Sequence, residues 1–178
     1  FLKSDDIRAQ LPDDSKKFEK VDIEWKTLMA EAADEPSIIA ACCTEGRLEQ
    51  IQGFQEIINE CQKALDEYLE SKKKIFPRFY FISPNALLTI LSNGNDPEKV
   101  DEFIGDCFDG MKRLNFVRDF PEQKSCTSEG MYDKTGEYVS FYGNFVCQGA
   151  VESYLTDLEK KMQLTLQEVL IGAEETAQ

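Results

Sequence analysis

Six cysteines, Cys42, Cys43, Cys61, Cys107, Cys126 and Cys147, are the residues of this chain best suited to nucleophilic or metal chemistry. A zinc site or a disulfide framework needs C-x-x-C pairs or regular spacing, and neither occurs. They are read as free thiols in a reducing compartment. The adjacent pair Cys42-Cys43, preceded by the small apolar Ala40 and Ala41, is expected to be buried and structural rather than reactive. Histidine is absent, which removes the usual general base near neutral pH, Ser-His-Asp and Cys-His nucleophile pairs, H-E-x-x-H metalloprotease sites and mixed Cys/His zinc sites. Gly105 and Gly110 have the glycine spacing of a phosphate loop. Met111-Lys112 follows them in a helical context, where a strand, a lysine and a hydroxyl residue are required, so phosphate binding is not expected. Adjacent acids at Asp5-Asp6, Asp13-Asp14 and Glu174-Glu175 are read as solvated loop charge, because no stretch has the ligand spacing of a calcium loop. These residues imply no catalytic group, metal or cofactor.

The bulk properties point the same way. A chain of 178 residues with 42% hydrophobic and 30% charged content fits one ordinary globular core. Its longest apolar runs fall far short of the ~20 residues a bilayer span needs, so no membrane partner is expected. A net charge of -14 repels phosphate backbones and argues against nucleic acid. The chain opens on Phe1, and we read it as a single segment, residues 1–178, cut from a longer protein.

The elements are mainly helical. Leu11-Pro12-Asp13-Asp14 predicts a break and Ser15 an N-cap for a helix carrying Phe18, Val21, Ile23, Trp25, Leu28 and Met29, which stops before Pro36. A short helix is expected over 36–44. The strongest signal predicts a long helix over about 47–75, with Ile51, Phe54, Ile58, Cys61, Leu65, Tyr68 and Ile75 in one apolar seam. It ends at Lys72-Lys73-Lys74, charges that suit the negative end of a helix dipole, and Pro77 closes it. The seam, Trp25 and the aromatic turn Phe76, Phe79, Tyr80 and Phe81 are expected to pack in a core. Ser83-Pro84 and Asp96-Pro97 each announce a further helix, the second reaching Phe108. Alternation in Glu137–Phe141 and the turn Asp133-Lys134-Thr135-Gly136 predict a small β-hairpin over about 131–141. A closing helix is expected over about 151–171, with Val151, Tyr154, Leu155, Leu158, Met162, Leu166, Val169 and Leu170 on one face.

The order of these pieces is specific. Cys61 to Glu70, then Phe76-Pro77-Arg78-Phe79-Tyr80-Phe81-Ile82-Ser83, then Leu87-Leu88-Thr89-Ile90-Leu91-Ser92, resembles the linker region of dynein heavy chains. The resemblance continues through Asn95–Val100, Cys107–Met111, Leu114–Phe116, Met131–Asp133, Gly136–Phe141 and Gly149–Leu155. It covers most of the chain from about Gly46 to Leu170. Leu91 to Pro97 looks more like axonemal than cytoplasmic heavy chains, which implies cilia or flagella. Val117 to Glu129 carries little of the pattern and is expected to be a variable surface loop.

The resemblance implies a mainly α, elongated helical bundle with one long central helix and a small hairpin insertion. It also implies a non-catalytic lever over the AAA+ ring of the same heavy chain, monomeric as a segment and without a small-molecule substrate. ATP and Mg would be bound by the parent's AAA+ modules rather than here. The hexapeptide Phe76, Pro77, Arg78, Phe79, Tyr80 and Phe81 would be a structural signature. Polar residues near the hairpin, Lys134, Glu137 and Tyr142, are the candidate ring contacts. A stand-alone helical adaptor, binding partner helices beside the long helix, is the competing reading, and an enzyme built on carboxylates or on Cys42 and Cys43 is the weakest.

Overall fold

The computed structural model describes residues 5–118 and 125–177. The described residues are mainly helical, with a small three-stranded antiparallel sheet. By its internal contacts the chain divides into one compact unit up to Tyr68 and another from Leu69 onward, a division the sequence does not announce.

In the first unit, α1 (Asp5–Gln10) and α2 (Pro12–Asp34) are separated at Leu11 alone. Pro12 occupies the first turn of α2, where its missing N–H costs nothing. Ser15, expected as the cap, lies one turn inside α2: its amide donates to the Leu11 carbonyl and its side chain is buried. A short α3 (Ile38–Cys42) follows, then α4 (Arg47–Ile75), 29 residues with the bounds the periodicity predicts. Val21 and Leu28 of α2 pack with Phe54 and Ile57 of α4. The ion pairs Lys17–Glu60 and Arg47–Glu31, each at 3.1 Å, connect the same two helices.

This unit corrects three expectations. Trp25, expected in the core, is exposed, and in the seam of α4 so are Ile51 and Ile58; Ile75, at the end of that helix in the second unit, is exposed as well. Trp25, Ile51 and Ile58 line an open apolar groove with Phe18, Val21 and Phe54. Two helices can cover only one stripe of each other, so an apolar face wider than that stripe stays open. Cys42 and Cys43 are exposed rather than buried, because a five-residue helix has no face long enough to bury them.

In the second unit the last turns of α4 lead to a 3-10 helix, Pro77–Phe81, and then to α5 (Pro84–Ser92). Ser83 caps α5 as expected, its hydroxyl accepting the Ala86 amide at 3.3 Å. The single helix expected after Asp96 is instead two short ones, α6 (Pro97–Asp101) and α7 (Ile104–Cys107). Val100 and Ile104 are both buried across that break.

The hairpin proves to be part of a sheet with strand order β1-β2-β3: β1 (Arg113–Phe116), β2 (Thr127–Tyr132) and β3 (Tyr138–Val146). The loop read over 117–129 is therefore shorter, since Thr127–Glu129 belong to β2; residues 119–124 of it lie outside the described residues. Asp133 Oδ1 accepts the amides of Thr135 and Glu137 at 2.9 and 2.7 Å, and Gly136 takes φ +95°, which closes the β2–β3 turn. Gly130 is needed for a different reason: a methyl group there would lie 2.6 Å from the Val139 carbonyl oxygen.

The closing helix α8 (Val151–Thr176) packs on β3. Val151, Tyr154, Leu155 and Leu158 are buried, whereas Leu166, Val169 and Leu170, expected on the same covered face, are exposed.

Candidate functional site

The signature hexapeptide separates into two halves. Phe76 and Phe79 are buried and meet edge to face, ring centroids 5.0 Å apart. Pro77 starts the 3-10 helix. Arg78 is the connector: it donates to Glu159 of α8 at 2.8 Å and to the Cys107 carbonyl at 3.3 Å, with its guanidinium 4.8 Å from the centre of the Phe108 ring. Tyr80 and Phe81, expected in the core, face solvent, Phe81 at 76%. The Tyr80 hydroxyl donates to Glu70, whose carboxyl is held below the usual carboxylate range by Lys73 and Tyr80. The turn is thus anchored by Phe76, Arg78 and Phe79 and presents the rings of Tyr80 and Phe81 outward.

Lys134 and Glu137 share the β2–β3 turn, exposed at its tip. Lys134 is 2.6 Å from Asp109, in the loop before β1, and holds that carboxyl below its ordinary value. Tyr142 lies further along β3, 65% exposed, with its backbone tied to α8: its amide donates to Thr165 and its carbonyl accepts from Lys161. The three candidates therefore occupy two places, a turn tip and the strand beside α8.

Two features escaped the sequence reading. Lys72 and Glu152 form an ion pair at 2.6 Å with side chains only 19% and 8% exposed. Lysine at the end of α4 carried a signal only for the helix dipole; its partner lies 80 residues away. Asp101, at the end of α6, accepts the Leu114 amide at 2.8 Å, and burial raises its pKa to about 6. Its carboxylate fixes the connection from α6 to β1.

Because the folded-state value lies above the ordinary one of ~3.9, the fold favours the protonated acid. Stability from this group is full below about pH 4, is lost as pH rises to about 6, and stays flat above that. Asp101→Asn keeps an oxygen for the Leu114 amide and removes the buried charge. It is expected to stabilise by about 1 kcal/mol at pH 7.5, after a discount for partial solvent access. Near pH 4 the two proteins should have equal stability in urea unfolding.

The family model for dynein heavy chain, N-terminal region 2, matches residues 1–173. The chain belongs to that family. This dynein segment is 41% identical over 94% of its length to the flagellar outer arm dynein beta chain of Chlamydomonas reinhardtii. It is 42% identical over 93% to axonemal heavy chain 9 of Homo sapiens, and 40% identical over 93% to the ciliary beta chain of Heliocidaris crassispina. It spans about 4% of the length of each of these relatives. The segment is thus of axonemal dynein type, and its setting is the cytoskeleton of cilia or flagella.

Proposed function

We propose that this segment is part of the linker of an axonemal dynein heavy chain and acts as a non-catalytic lever, changing position over the AAA+ ring of its own chain as nucleotide turns over. The carrying observation is the match of the dynein N-terminal region model to residues 1–173. ATP and Mg would be held by the AAA+ modules of the parent chain, outside these residues, and an elongated bundle centred on α4 belongs to the same reading. An unbroken helix of 29 residues spans ~43 Å at 1.5 Å per residue and resists bending, and packed cores carry force with little give.

A switch between bent and straight positions from 1:99 to 99:1 requires about 5.5 kcal/mol of differential interaction with the ring. Lys134, Glu137 and Tyr142 are the proposed contributors, since all three are exposed while the backbone beneath them is fixed by hydrogen bonds. Combined Lys134→Glu and Glu137→Lys in the complete heavy chain should slow microtubule gliding several-fold with ATP turnover retained. An unaltered gliding velocity would remove these residues as ring contacts.

A further inference from the structure

Beyond the lever, the end of the sheet carries two thiols in disulfide register. Thr127 pairs with Val146 and Ser128 with Phe145. One step further out, Cys126 stands opposite Cys147, and the Cys147 amide donates to the Cys126 carbonyl at 2.7 Å. Directly opposed residues of antiparallel strands have Cα atoms about 4.5–5.5 Å apart and side chains on the same face. That separation falls inside the disulfide range of about 4.4–6.8 Å.

The alternation agrees. Phe145 and Cys147 point to the buried face, as does Ser128, so Cys126, two residues before Ser128, belongs to that face too. It reaches solvent because the sheet ends there. One thiol is therefore open to a soluble reagent and its neighbour is sheltered beside it.

We propose that Cys126 and Cys147 form a redox modification site that takes a peroxide-class oxidant and closes to a cross-strand disulfide. The Cys126 thiolate attacks one peroxide oxygen; the O–O bond breaks, and water leaves after protonation. The resulting sulfenic acid on Cys126 is attacked by the Cys147 sulfur. The S–S bond forms as the S–O bond breaks, and the hydroxide departs as water with the Cys147 thiol proton. Two thiols lose two electrons and one peroxide becomes two waters. Burial, with the Cys126 sulfur adding to it, pushes the Cys147 thiol up to about 12. The second step is then the slow one, and the sulfenic acid should last long enough to be captured. The closed bridge would tie the start of β2 to the segment entering α8.

The test is peroxide treatment of the reduced chain, unfolding in the presence of a maleimide, proteolysis and mass spectrometry. The expected product is a peptide pair joined through Cys126 and Cys147, two hydrogens lighter than its parts and separated by dithiothreitol. With Cys147→Ser, dimedone should label Cys126 instead. With Cys126→Ser, an exposed change that leaves the circular dichroism spectrum unaltered, Cys147 should stay fully alkylatable. Without dimedone present, Cys126 oxidised in the wild-type chain while Cys147 remains alkylatable after the reaction has run to completion would overturn the proposal, as would a Cys147 bridge to any other cysteine.

Discussion

Phe79→Ala is expected to destabilise the second unit by about 4 kcal/mol, the cost of emptying a phenylalanine site that cannot collapse. Phe79 is fully buried and its ring meets Phe76 edge to face, which is itself near the Phe108 ring at 6.2 Å. Loss of the ring removes both the transferred area and the aromatic pair, the latter worth about 1 kcal/mol of the total. Phe81→Ala, two residues on in the same 3-10 helix, should change stability by less than about 0.5 kcal/mol, since most of that ring is already in water. Urea unfolding followed by circular dichroism separates the two. A large loss with Phe81→Ala and a small one with Phe79→Ala would reverse the assignment of the buried half of the turn.

The second large effect concerns Lys72 and Glu152. Glu152 sits in the first turn of α8, where helix amides favour a negative charge, and is nearly buried against the Lys72 ammonium. Glu152→Ala leaves a sheltered ammonium without its closest carboxylate and should cost about 2–3 kcal/mol, somewhat less than a fully buried pair because Lys72 keeps some solvent. Replacing both partners, Lys72→Met with Glu152→Leu, should recover most of that loss. A double-mutant cycle by urea unfolding measures it; a coupling near zero would mean that the pair is no stronger than an exposed one. The contrast within the same fold is Lys134–Asp109, equally short but exposed to water, where screening removes most of the gain.

What could be read in the sequence was what a local period or a local cap encodes. Helix α4, the Ser83 cap and the Asp133–Gly136 turn follow from spacing within one or two turns of chain, and they stand where that spacing puts them. The misreadings concern what lies across the chain. Cys42 and Cys43 have small apolar neighbours, but burial needs a covering element, and a five-residue helix supplies no face for one. Trp25 and Ile58 fit a helical apolar stripe, yet a stripe states which residues share a face and not how much of that face is covered. β1 is four residues, Arg113–Phe116, too short for alternation to mark it, so the hairpin hid a third strand. For the candidate site, the hexapeptide was visible as a unit, but its division into anchors and exposed rings was not. Arg78 needs Glu159, and Lys72 needs Glu152, partners whose distance in sequence no periodicity reports.

The lever reading stands or falls on motion relative to the ring. The direct measurement is energy transfer in the complete heavy chain between a dye in the exposed loop joining α3 to α4 and a second dye on the ring, recorded without nucleotide and with ATP. The account predicts two distinct transfer efficiencies that interconvert with nucleotide state. A single unchanging efficiency in a motor that turns over ATP and glides along microtubules would contradict it.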